Sequence, residues 1–137
     1  ISQPSTFFWY LCISDTSKGI TPPSQGLHFF LNKKCVPCEG GVLPFDISEI
    51  HKYQKKVDGW DIFKNEKNIY LLEKKFKFKN FSESQKFVNK VGIISEEEGH
   101  HPDILFGWGY AKVNITTHAI EGLSENDFIL AAKIDKI

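Results

Sequence analysis

The chain is 137 residues long, and its 17 Lys+Arg residues are matched by 17 Asp+Glu, for a formal net charge of +0. Such a balance supplies no broad positive field, which argues against direct nucleic-acid binding. The longest unbroken apolar run, Phe7 to Ile13, is far below the ~18 residues a bilayer-spanning helix needs, so no membrane span is expected.

A chain of this size supports one ordinary core, burying roughly two-thirds of its extended surface. Residues 1–41 mix Ser, Thr, Pro and Gly with two aromatic patches and hold no sustained period, so they read as an N-terminal extension lying across a domain at 42–137. Within that extension Cys35-Val36-Pro37-Cys38 has the spacing of half a zinc site or of a redox dithiol. No two further ligands stand at regular spacing, and Glu39-Gly40-Gly41 follows where a thioredoxin-like helix would have to begin, so a tight structural turn is the favoured reading. The cysteines number 3, an odd count that defines no disulfide framework and favours a reducing compartment. Because the chain begins at Ile1 rather than Met, an upstream targeting peptide is expected to be missing, and a cytoplasmic or an organellar placement fits equally.

Regular elements become legible after Pro44. Asp46 with Glu49 has capping-box spacing, and Ile50, Tyr53, Gln54 and Val57 recur at helical intervals until Gly59, which predicts a helix over about 47–57. Trp60 and Ile62, then Ile69 to Phe78, read as two strands joined through Lys64-Asn65-Glu66-Lys67. Tyr70, Leu72, Phe76 and Phe78 share one face of the longer strand, with Lys74 the exception on that face, while Lys75 and Lys77 point the other way. The lysines clustered between Lys52 and Lys79 read as a solvated sheet face or edge. Ser82 with Gln85 predicts a second capping box, and Phe87, Val88, Val91 and Ile94 form the stripe of a helix that runs to about Glu97 and stops at Gly99. Asp103 to Trp108 and Lys112 to Thr117 predict a second hairpin, with Val113, Ile115 and Thr117 on one face and Asn114, Thr116 and His118 on the other. A last helix opens at Ser124 and runs to the end. The order helix, two strands, helix, two strands, helix predicts an α+β fold with a four-stranded antiparallel sheet and three helices on one face. Its remaining apolar and aromatic surface predicts a homo-oligomer.

The chemistry concentrates late in the chain. His100 and His101 follow the stop at Gly99, and Pro102 biases His101 toward extended backbone, so the two rings point in different directions. His118 lies at the end of another element, and three imidazoles converging on one cleft are an acid/base arrangement, since an unperturbed imidazole titrates near about 6.5. Three histidines also equal the ligand count of a catalytic zinc, but no His-x-His or His-Glu-x-x-His spacing is present and adjacent rings do not readily aim at one ion. No metal site is therefore expected. Asp127, three residues past Ser124, is placed to bond back to the helix N-terminus, and Trp108 offers a flat face for an aromatic ligand.

Taken together, Glu96-x3-His100-His101-Pro102-x5-Trp108-x9-His118-x8-Asp127 closely resembles the signature of the pterin-4a-carbinolamine dehydratases. The resemblance runs from about Cys35 to Ile137 and includes Gly59-Trp60, Gly122-Leu123-Ser124 and the closing Ala131-Ala132-x-Ile134-Asp135. It implies dehydration of 4a-hydroxytetrahydropterin to quinonoid dihydropterin in the recycling of the cofactor of aromatic amino acid hydroxylases, with neither metal nor bound cofactor. It implies dimers or tetramers, and for animal members a second role with a homeodomain transcription factor, so a non-enzymatic dimerisation module is the alternative. Carried over, His100, His101 and His118 are the catalytic residues, while Glu96 and Asp127, with Trp108, fall to substrate binding. Acid duty is expected of His118 and His100, and binding or base duty of His101. Asn126 departs from the arginine that animal members commonly carry.

Overall fold

The computed structural model describes residues 28–37 and 42–137. The aromatic run Phe7 to Ile13, and the Cys38 to Gly41 part of the Cys-x-x-Cys segment, lie outside these. Within residues 42–137, three α-helices, α1 (Ile47–Gln54), α2 (Phe81–Glu98) and α3 (Glu125–Ile134), accompany four strands, β1 (Asp61–Lys64), β2 (Tyr70–Lys77), β3 (Asp103–Gly107) and β4 (Tyr110–Ile115). The strands form one antiparallel sheet in the order β1-β2-β4-β3, the α+β architecture and element order anticipated from the sequence.

Strand alternation decides which face is covered. Leu72 of β2 and Ala111, Val113 and Ile115 of β4 are fully buried, and Phe87 and Val91 of α2 and Phe128 to Ala132 of α3 complete the core above them. Burying a side chain of this kind contributes about 1.5–3 kcal/mol, so the one apolar face accounts for most of the drive to fold. The opposite face carries Glu73 and Lys112, bridged at 3.2 Å, together with exposed Leu105 and Phe63. Lys74, the odd residue on the covered face, is neutralised there: its Nζ donates to Asp135 Oδ1 at 2.7 Å and to the Asp58 carbonyl at 2.6 Å. Asp135 also accepts from Trp60 Nε1 at 3.0 Å, tying the end of α3 to the sheet. Burial raises the Asp135 carboxyl above the ordinary aspartate value, against the pull of Lys74.

The element boundaries differ from the sequence expectation at three places, each for a local reason. Helix α1 stops at Gln54 rather than Val57, because Lys56 N–H and Val57 N–H turn back to the carbonyls of Tyr53 and Gln54, a tighter pitch than the α-helix. Helix α2 is capped by Asn80, not Ser82: the Asn80 side chain accepts from Glu83 N–H at 3.0 Å, and Glu83 Oε2 accepts from Lys79 N–H at 2.9 Å. Strand β4 starts at Tyr110 and ends at Ile115, since Gly107 pairs with Tyr110 and leaves only Trp108 and Gly109 in the turn, with Gly109 at φ 77.

The extension contributes to the core. Phe30 is fully buried, stacked on Tyr53 at 5.8 Å and Phe128 at 6.3 Å between ring centroids. Phe45 joins the same aromatic group against Tyr53 at 4.8 Å.

Candidate active site

The topology gathers one end of the sheet. Helix α2 ends where β3 begins, and β4 runs antiparallel to β3 with Asn114 opposite Asp103, so the exit of β4 returns beside the entry of β3. His100 and His101 precede that entry, and His118 follows that exit in a short 3-10 turn, His118–Ile120. The stop after α2 places the first two histidines closely. Gly99 adopts φ 62, and its N–H and that of His100 bond to the carbonyls of Glu96 and Ser95, the paired arrangement that a left-handed residue permits at a helix end. The 3-10 turn is closed by Gly122, where an added Cβ would come within 2.5 Å of Pro44 Cβ, so only glycine lets residues 44–45 cross there.

Asp127 lies at the centre and is fully buried. Its Oδ2 accepts from Ser124 N–H at 2.7 Å and from Thr117 Oγ1 at 2.8 Å, completing the capping box at the start of α3. Its Oδ1 lies 2.9 Å from His100 Nε2. A carboxylate only accepts, so Nε2 carries the proton, and in the neutral ring Nδ1 is left as the atom that exchanges one. The capping-box carboxylate of α3 thus meets a cleft histidine 27 positions away in sequence.

A cleft of about 500 Å³ is lined by His100, His101 and His118 with Glu96, Thr117 and Asn126. The three histidines expected to work together do share one cavity. They are held differently. His100 is mostly buried, whereas His101 is exposed and paired with exposed Glu96 at 2.9 Å, a contact worth about 0–1 kcal/mol. His118 is exposed. No group of three or more His, Cys, Asp or Glu side chains suited to a metal ion occurs among the described residues.

Trp108 is placed elsewhere. It occupies the β3–β4 turn, 72% exposed and outside the cleft lining. Strand β3 rises about 3.3 Å per residue, which puts the turn roughly 15 Å from the strand's entry, the end His101 precedes.

Residues that sequence reasoning did not assign to the site include Thr117 and the segment 34–37. Thr117 had a signal: it is the one polar residue on the inward row with Val113 and Ile115, and it is nearly fully buried against Asp127. The segment had none of that kind. Lys34, Cys35, Val36 and Pro37 line the cleft because Cys35 N–H donates to Glu98 Oε2 at 2.9 Å and Val36 bonds to Asn126. Glu98 is in turn held by Lys133. Burial and the negative Glu98 push the Cys35 thiol up to about 12, so it stands as an un-ionised thiol.

A sheet-and-helix domain in which a helix-capping carboxylate meets a histidine, in a cleft with two more, defines a small α+β protein with an imidazole cluster at one end of its sheet. Residues 44–137 match the family model described as Pterin 4 alpha carbinolamine dehydratase, and the chain belongs to that family. A relative of the same family name from Rubrobacter xylanophilus is 45% identical over 105 residues, covering 77% of this chain and 94% of the relative. Another, from Halorhodospira halophila, is 50% identical over 106 residues, with 77% and 94% covered. Among solved structures, a transcriptional coactivator/pterin dehydratase from Brucella melitensis matches with a TM-score of 0.61 at 27% identity, over 68% of this chain and 96% of that one.

Proposed function

We propose that the protein dehydrates a 4a-hydroxytetrahydropterin to quinonoid dihydropterin and water, by histidine acid/base catalysis without a metal. The observation that carries this reading is His100, fixed by buried Asp127 in the same cleft as His118 and His101. Loss of water from a carbinolamine needs an acid at the departing hydroxyl and a base for a proton on the ring nitrogens. The neighbouring nitrogen's lone pair forms the C=N bond as the C–O bond breaks, so no covalent enzyme intermediate is needed. His118 and His100 take the acid role, entering from separate elements, and His101 with Glu96 takes a binding or base role at the rim. The cleft volume of about 500 Å³ suits a bicyclic ring.

The reaction would serve the recycling of a pterin cofactor used by an aromatic amino acid hydroxylase. Exposed Ile93, Leu105 and Trp108 support pairing with a second copy of the chain. The coactivator role named for the Brucella melitensis protein favours a second reading, a dimerisation module in transcription, which is compatible with an active cleft. The deciding experiment is a dehydratase assay on synthetic 4a-hydroxytetrahydropterin, with and without a chelator. Turnover above background that a chelator leaves unchanged is expected. No turnover refutes the dehydratase reading, and chelator-sensitive turnover with stoichiometric zinc refutes metal independence.

A further inference from the structure

The segment 33–37 is fastened more firmly than a passing loop requires. Asn126 is nearly buried at the second residue of α3, and both ends of its carboxamide engage one peptide: Oδ1 accepts from Val36 N–H at 3.0 Å and Nδ2 donates to the Val36 carbonyl at 2.6 Å. Only a side-chain amide offers an acceptor and a donor in one plane to match a backbone N–H and C=O. The Asn126 carbonyl takes the Cys35 thiol at 3.5 Å, Glu98 takes the Cys35 N–H, and Lys33 pairs with Glu125 at 2.5 Å. Asn126 is also the neighbour of Asp127, so one helical turn holds the segment through one residue and His100 through the next.

What this lock presents is apolar. Val36 is 68% exposed although its backbone is fixed on both sides, and with Pro37 and Ala119 it supplies apolar surface to a cleft whose lining is otherwise mostly polar. A segment that served stability alone would turn Val36 into the core. A bicyclic substrate ring needs one such surface beside the groups that exchange its protons.

We infer that Asn126 is a positioning residue for the proposed dehydration, locking residues 34–37 as the wall of the histidine cleft against which the substrate ring packs. This rests on the dehydratase reading. Loss of the lock should weaken substrate binding without touching the acid/base groups.

The test uses Asn126→Asp and Asn126→Ala in the full chain. The aspartate keeps an acceptor for Val36 N–H, suits the first turn of a helix and so preserves folding, but sets a carboxylate oxygen against the Val36 carbonyl. KM should rise about tenfold with kcat within about twofold, the split expected when uniform binding is lost. Destabilisation of the fold alone would lower apparent kcat and leave KM in place. Iodoacetamide labelling of Cys35, followed by peptide mass spectrometry, reads the lock without any pterin: the half-buried thiol should react slowly in the wild type and faster in both variants. Unchanged Cys35 labelling overturns the lock, and faster labelling with unchanged KM overturns the wall. A wild type without dehydratase activity overturns the underlying reading and the wall with it, whereas an active wild type isolates any failure to this inference.

Discussion

Replacing Asp127 by Asn tests whether the carboxylate acts through His100 or only caps α3. The Oδ2 side of the carboxylate meets the Ser124 N–H at 2.7 Å and the Thr117 hydroxyl at 2.8 Å, and an asparagine oxygen serves both. Its amide nitrogen must then face His100 Nε2, which stands 2.9 Å from Oδ1 in the native chain. A donor now opposes a donor, so the neutral ring moves its proton to Nδ1, and the imidazolium loses a carboxylate partner. A hydrogen bond to a charged group contributes about 1.5–3 kcal/mol. Loss on that scale in the transition state corresponds to a drop of about 10- to 100-fold in kcat. The cost in stability should stay near about 1–2 kcal/mol, because the cap survives. Asp127→Ala is less informative, since it strands buried donors at about 1–3 kcal/mol each and threatens the fold. Urea unfolding gives the stability change, and initial rates over a substrate range give kcat and KM separately. A folded Asp127→Asn with wild-type turnover refutes the orientation argument. So does an Asp127→Asn loss that adds in full to that of His100→Ala, because two groups acting through one ring cannot give independent effects.

General acid/base catalysis is typically worth ~100- to 10,000-fold, so His100→Ala and His118→Ala should each leave residual turnover while the double variant falls to near background, and His101→Ala should chiefly raise KM. A double variant that matches the wild type would move the dimerisation-module reading to first place. Sedimentation should detect at least a dimer, and a lone 15.7 kDa species at micromolar concentration would contradict the proposed self-association. The pH dependence of stability has a local source in Glu98. Burial alone would raise its carboxyl, but hydrogen bonds from Lys133 and from Cys35 N–H outweigh that and hold it below the ordinary glutamate value. Its stabilising contribution is therefore complete above the unfolded pKa of about 4.3 and is lost as pH falls through the lowered folded value. Urea midpoints measured down to pH 3 should fall less steeply for Glu98→Gln than for the wild type, and parallel curves would contradict the assignment.

Much of the scaffold was legible in the chain because its causes are local. Period-two alternation separates Val113, Ile115 and Thr117 from Asn114 and Thr116, and the structure buries the first set. Ser124 and Asp127 stand at the spacing of a capping box, and that box forms. Gly99 marks the end of α2 through a conformation that glycine adopts readily. Where two local signals competed, the reading slipped: Ser82 had capping-box spacing, but Asn80, already extended at φ −159, captures the Glu83 N–H first. The lysine on the covered face of β2 looked like an exception, and its partner Asp135 lies 61 residues away.

The sequence by itself determined the helices and strands, their order and the histidine set, since hydrogen bonds and periodicities a few residues long are written directly in the chain. Only the tertiary structure decided that Asp127, besides closing its own helix cap, reaches His100, that Trp108 sits at the far end of the hairpin from the cleft, and that residues 34–37 line the cleft beside the histidines. Those contacts span 27 to 91 residues and exist only once β4 has paired beside β3 and α3 has docked on the sheet. A residue's neighbours across such separations are chosen by the packing of whole elements, and no spacing along the chain encodes them.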